Sequence, residues 1–298
     1  MKTIKGIRVN SAFVNQDGDT EHDFLSLLTQ FDDKGNVVEE ISYSEADVIE
    51  SKSSFIYDHD GHLLEETTWL DEEEISDKKK YTYNEEGKIR WIEIEYSDGS
   101  QSKHAIEYSD KLIKLTITDE NGQFDGSEIR KFNENGQIIE LTRIDSDGQT
   151  EQRFISEYDE KQNLISNIEF DRDGDIRVKR RYEYDEKNRR ITDTGYNLSD
   201  EINYSKTYTY NDADQLEQET VDDYTIIYEY DEKGKDTRQI TYKNEEIESI
   251  KLFRYTDDGL LDEEISVHAG EEYTLVPQLL HEEDANYLSK KYIYEFYE

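Results

Sequence analysis

The chain has 298 residues, a net charge of −39 from 74 acidic and 35 basic side chains, and no cysteine. Such a charge repels nucleic-acid backbones and anionic membranes, and without cysteine there are no disulfides and no thiol chemistry. A mean hydropathy of −1.03 borders on disordered composition, yet 23 Tyr and 10 Phe against a single Pro predict a folded, strand-rich chain.

In chain order, residues 1–28 read as a degenerate hairpin. They hold apolar Ile7–Val9 and Phe13–Val14, a turn at Asp17–Gly18–Asp19, then Phe24–Leu28. Terminal repeats have to cover an otherwise exposed core and are atypical, so this segment is expected to cap the first repeat. From residue 29 to 267 one pattern recurs about ten times: an aromatic, Asp or Asn, then Gly or Asn, then an apolar residue. Its anchors are Phe31, Tyr57, Tyr83, Tyr108, Phe132, Tyr158, Tyr184, Tyr210, Tyr230 and Tyr255, spaced 26, 26, 25, 24, 26, 26, 26, 20 and 25 residues apart.

Each copy has a physical reading. Tyr182 and Tyr184, like Tyr81 and Tyr83, stand two apart and project from one face of a strand. Asp185 starts a turn by offering a side-chain acceptor to nearby backbone N–H groups. Gly35, Gly61, Gly87, Gly136, Gly234 and Gly259 occupy one turn position, with Asn163 and Asn188 at or beside it in copies that lack Gly. Gly and Asn tolerate positive φ best. A second strand comes next, as in Gln137–Arg143 or Leu164–Phe170, and a second turn such as Asp145–Gly148 closes the unit. The expected fold is all-β: tandem antiparallel β-hairpins continuing one long sheet that twists or spirals. Adjacent apolar pairs, Ile138–Ile139 and Leu164–Ile165, point to bulges or to two partly buried faces.

Segments such as Phe55–Ile56–Tyr57–Asp58–His59–Asp60–Gly61–His62–Leu63 and Tyr228–Glu229–Tyr230–Asp231–Glu232–Lys233–Gly234 resemble the YD repeat of bacterial Rhs-type and teneurin-like proteins. The resemblance runs from Phe31 to Val267. In Rhs-type toxins it implies a spiral shell around a toxin domain. A short form without that domain implies a repeat scaffold.

Residues 268–298 break the rhythm. They contain Pro277, and Gln278–Lys290 has the apolar spacing of a short helix, before Tyr292–Phe296 returns to a closing strand. Capping or a binding loop both fit, the latter placing Pro277 and His281 on a binding surface. Trp69 and Trp91 either fill a sparse interior or, with Tyr96, form an aromatic binding surface. His59 and His62 flank a turn beside Asp58 and Asp60, and Asp171, Asp173 and Asp175 surround Gly174; turn chemistry explains both, so no metal or cofactor is expected. No HExxH or Walker A pattern occurs, and no catalytic residue is assigned. The function expected is a non-enzymatic, cytoplasmic, acidic repeat protein. It would bind another protein, immunity- or chaperone-like toward a basic toxin, with no nucleic acid and no membrane insertion. The alternatives are a cell-envelope or carbohydrate-binding YD-repeat protein, or a fragment of an Rhs-like shell.

Overall fold

The computed structural model describes residues 3–15, 17, 19–71, 73–268 and 287–297. They form β1 (Ile4–Val14), β2 (Thr20–Phe31), β3 (Val37–Tyr43), β4 (Ile49–Tyr57), β5 (Leu63–Trp69), β6 (Ile75–Tyr83), β7 (Ile89–Tyr96), β8 (Gln101–Ser109), β9 (Leu112–Asp119), β10 (Phe124–Phe132) and β11 (Ile138–Ile144). These are followed by β12 (Thr150–Tyr158), β13 (Leu164–Phe170), β14 (Ile176–Tyr184), β15 (Arg190–Tyr196), β16 (Ile202–Tyr210), β17 (Leu216–Val221), β18 (Tyr224–Tyr230), β19 (Asp236–Lys243), β20 (Glu246–Tyr255), β21 (Leu261–His268) and β22 (Tyr287–Phe296). The chain divides into two compact units, residues 1–76 with 210–298, and residues 77–209.

The turn after each anchor aromatic is built on one side chain. At Asp185 the backbone N–H donates to the Arg189 carbonyl at 2.9 Å, and the Asn188 N–H donates back to the Asp185 carbonyl at 3.1 Å. Asp185 Oδ1 accepts from the N–H groups of Lys187 and Arg189, both at 2.9 Å, and Asn188 closes the turn at φ 63°. Asp32 with Gly35, Asn84 with Gly87, Asn133 with Gly136 and Asp231 with Gly234 repeat the arrangement. In the copy from Tyr158 the positive φ, 70°, falls on Gln162, one residue before Asn163. Just past each turn the second strand carries one extra residue, a bulge, such as Val38 between Val37 and Glu39 and Ile165 between Leu164 and Ser166. Register accordingly shifts at Phe31, Tyr57, Tyr83, Phe132, Tyr158, Tyr184, Tyr230 and Tyr255. Both explanations of the adjacent apolar pairs hold: the bulge falls on Ile165, between Leu164 and Ser166, and Leu164 and Ile165 are each half-buried.

The anchor tyrosines fasten one hairpin to the one before it. Tyr158 donates its hydroxyl to the Ile138 carbonyl at 3.0 Å, Tyr184 to Leu164 at 2.8 Å, Tyr230 to Leu216 at 2.7 Å and Tyr294 to Leu261 at 2.9 Å. The side chain closing a turn then reaches the next turn: Gln137 Nε2 donates to the Gln162 carbonyl at 2.7 Å, and Gln215 Nε2 to Gly234 at 3.0 Å. The period near 25 residues is thus the distance along the chain from one latch to the next.

Apolar burial is concentrated in the first unit, where Ile240, Ile250, Ile265 and Val267 are buried, Ile250 completely. Cross-strand pairing lines them up: Ile240 faces Ile250, Ile250 faces Val267, and Leu252 faces Ile265.

The expected open, twisted or spiralled sheet is corrected by the ends of the chain. The 22 strands belong to one sheet, with sequential strands antiparallel inside each unit. The last strand pairs with the first: Ser11 lies opposite Lys290, Ala12 opposite Ser289 and Phe13 opposite Leu288. β22 pairs on its other side with β21, and β1 with β2. The order is therefore closed, the connectivity of a β-barrel, and neither terminus leaves the free edge that an open sheet would present. β1 pairs with β2 on one side and with the last strand, β22, on the other. The expected helix over 278–290 ends in β22 at 287–290; residues 278–286 lie outside the described residues.

Candidate functional site

The richest constellation of polar and aromatic side chains lies on one face of β12 to β16, within residues 77–209. Cross-strand pairing sets Ser156 opposite Asn167, Asn167 opposite Arg180, Arg180 opposite Gly195 and Gly195 opposite Tyr204. The next row on the same face is Tyr182, Asp193 and Lys206.

Gly195 is a strand glycine with ordinary φ, so its role is space. A Cβ there would stand 2.2 Å from Tyr204 Cε1. The Tyr204 ring fills the gap, and its hydroxyl donates to Asp193 Oδ1 at 3.2 Å. Burial and the Asp193 carboxylate hold the Tyr204 phenol above its ordinary pKa, against the lowering pull of the Arg180 charge. The Arg190 guanidinium sits 4.6 Å from the Tyr182 ring centroid and 6.0 Å from that of Tyr184. Burial works to lower its pKa, but Tyr184, Tyr208 and Tyr182 more than offset it. Asn167 Nδ2 donates to Ser156 Oγ at 3.0 Å. Beside these rows, Asp159, Asn163, Ile165, Tyr184 and Ile191 line an open groove with Tyr182 as its wall. Flat rings, a fixed phenol, an amide and a guanidinium on one rigid face supply stacking and directional hydrogen bonds together.

The candidates that the sequence suggested fall elsewhere, and they do not meet. Trp91 and Tyr96 belong to β7 but project from opposite faces, Trp91 opposite Ala105 and Tyr96 opposite Asp77. Trp91 has cations against its ring, Arg90 and Lys103, both 4.4 Å from the centroid. Trp69 carries Lys52 at 4.7 Å, and Tyr96 bonds to Ser102 Oγ at 3.2 Å. Pro277 and His281 lie outside the described residues. Ligand atoms of Asp58, Asp60 and His62 come within 4.8 Å of one another, but the turn uses them: Asp58 Oδ1 accepts from the N–H groups of Asp60 and His62, and Oδ2 meets His62 Nδ1 at 3.0 Å. Asp171 Oδ1 likewise accepts from Asp173 and Asp175 N–H. Sequence reasoning missed Asn167, Arg180, Asp193 and Tyr204. One signal was available, the glycine of Thr192–Asp193–Thr194–Gly195–Tyr196, which is not at a turn.

A family model described as "Uncharacterised protein" matches residues 10–121. No curated protein matches the chain. Among solved structures it is similar to a porin-like protein from Bacteroides uniformis, at 13% identity over 99% of both chains with TM-score 0.35. It is also similar to a porin-like protein from Bacteroides vulgatus, at 9% identity over 99% of both chains with TM-score 0.19. A third match is the Photorhabdus luminescens Tc holotoxin pore, at 13% identity over 89% of this chain and 20% of that one, with TM-score 0.27.

The closed strand order corrects three further expectations. An Rhs-type YD-repeat shell is an open spiral wall, whereas here the last strand returns to the first. The cytoplasmic location and the acidic binder of a basic toxin, drawn from composition and net charge, are corrected with it: the closed order leaves no open-ended repeat surface. Closed sheets occur in membrane-embedded and in water-soluble proteins alike, so strand closure is compatible with the envelope alternative.

Proposed function

We propose that the protein acts at the cell envelope as a non-catalytic glycan-binding sheet, with the β12–β16 face as its binding surface. The observation that carries this reading is the paired row Ser156–Asn167–Arg180–Gly195–Tyr204, flanked by Tyr182 and Arg190. Sugars present apolar ring faces and dense hydroxyls, and rings next to fixed donors and acceptors match both. The envelope assignment draws on the closed strand order.

Contact with water on both faces is part of the proposal. Strands β6 to β11 carry Lys80, Lys103, Lys114 and Lys131 on one face and Lys79, Arg130 and Arg143 on the other. A lipid-facing Lys or Arg at the bilayer midplane costs about 2–4 kcal/mol, and in these strands both faces carry such cations.

Two experiments test the reading. Fractionation of the native host should recover the protein outside the cytosol, and recovery in the cytosol alone contradicts the envelope assignment. A glycan array should show binding by the intact protein that Tyr204→Ala abolishes; binding that Tyr204→Ala leaves unchanged moves the site off this face.

A further inference from the structure

The chain has 13 arginines among 74 acidic residues, and among the described residues almost every guanidinium is occupied. Arg8, Arg130, Arg143, Arg153, Arg172, Arg177, Arg189, Arg238 and Arg254 each meet a carboxylate. Arg90, Arg181 and Arg190 each lie against an aromatic ring. Arg180 alone has neither, and it is exposed. It stands in the middle of the polar row, between Asn167 and the side-chain-free position of Gly195, with the Tyr204 phenol beyond.

We infer that Arg180 is the specificity-determining residue of this face and binds an acid group on the glycan, a uronate carboxylate or a sulfate. The inference rests on the glycan-binding function proposed for this face. A guanidinium presents paired N–H donors that fit a carboxylate or sulfate edge, and the Asn167 amide supplies a neighbouring donor. The net charge of −39 sets the kind of glycan. Long-range repulsion disfavours a densely charged polymer, so the ligand carries isolated acid groups among neutral sugars.

The test compares the full chain with Arg180→Gln by calorimetry on two oligosaccharides of equal length, one neutral and one in which a single sugar is oxidised to its uronate. Wild type should bind the uronate form about tenfold more tightly, about 1.4 kcal/mol, and in Arg180→Gln the ratio of the two affinities should fall to about one. Because Arg180 is exposed and makes no ion pair, an unchanged melting curve is expected for the variant. Equal affinity of wild type for the two sugars, or a preference that survives in Arg180→Gln, overturns the assignment and leaves the glycan reading standing. Binding of neither sugar, with a silent glycan array, removes both.

Discussion

Residues 77–209 carry 22 basic and 30 acidic side chains, whereas the rest of the chain carries 13 and 44. The two units share one turn device and one tyrosine latch, yet they differ in what else holds them. The more acidic unit contains the apolar row Ile240, Ile250, Ile265 and Val267. Both units bury polar side chains as well, Ser11, Thr29, Thr67 and Ser289 in the first and Ser127 and Ser166 in the second, but among the described residues the second buries only Ile94 and Tyr182 as apolar side chains, and ion pairs run across its strands, such as Arg153 with Glu140 and Arg143 with Glu128. Burying apolar surface offsets self-repulsion where charge is one-sided. Where charges are nearly balanced the sheet can leave polar rows open, and the candidate site lies in that half.

The largest effects should separate the two halves. Ile250→Ala removes a completely buried side chain and should cost about 2–5 kcal/mol, while half-buried Ile168 changed to Ala should cost about 1 kcal/mol. Hydrogen exchange reads each half separately: Ile250→Ala should strip protection from β18 to β21, with β12 to β16 retained. Equal loss everywhere would mean that the halves do not differ in their cores.

Gly195→Ala comes next. Its Cβ meets the Tyr204 ring at 2.2 Å, and overpacking of this kind costs about 1–3 kcal/mol. The loss should appear in β14 to β16, together with weaker sugar binding. The latch allows a matched pair of changes, Tyr230→Phe in the acidic half and Tyr184→Phe in the other. Each removes one hydroxyl donor to a carbonyl and should cost about 1 kcal/mol in denaturant titration; a difference between them above that size would show that the latch does not act alike in both.

Acid and salt should give the smallest and most diagnostic differences. Hydrogen bonds from Asn36 hold the Asp32 carboxyl below its ordinary pKa, those from Asn163 do so for Asp159, the Arg189 N–H does so for Asp185 and the Lys235 N–H for Asp231. A carboxyl depressed in the folded state stabilises it above the unfolded value of about 3.9 and loses that contribution as pH falls through the folded value. Both halves should therefore weaken below about pH 4. Between neutral pH and that point, salt should raise the melting midpoint of the acidic half more than that of its neighbour, because screening relieves repulsion. An equal response would contradict the charge comparison.

How far the sequence announced this molecule depends on which interactions are local. The turn at Asp185 is legible because its acceptor, its positive-φ residue and its partners lie within five positions. The copy at Asp159 shows the limit, since Gln162 takes the left-handed position that Asn163 suits better. Strand lengths followed from turn spacing. Closure did not, because the pairing of Ser11 with Lys290 spans nearly the whole chain and edge backbone groups look alike in any strand. The site was invisible for a related reason: Asn167, Arg180, Gly195 and Tyr204 become neighbours only through register. Trp91 and Tyr96 drew attention as rare, large rings, and the parity of β7 separates them.

Closure of the sheet can be tested directly because the chain contains no cysteine. Ala12 and Ser289 lie opposite each other on β1 and β22, and facing residues of an antiparallel pair stand about 4.5–5.5 Å apart at Cα, inside the range of about 4.4–6.8 Å that a disulfide spans. In the double variant Ala12→Cys, Ser289→Cys, mild oxidation of the folded monomer should form one intramolecular disulfide in nearly all molecules, read by mass spectrometry of the intact and digested chain. Two free thiols after oxidation, or crosslinks only between molecules, would mean that the first and last strands do not meet and that the sheet is open.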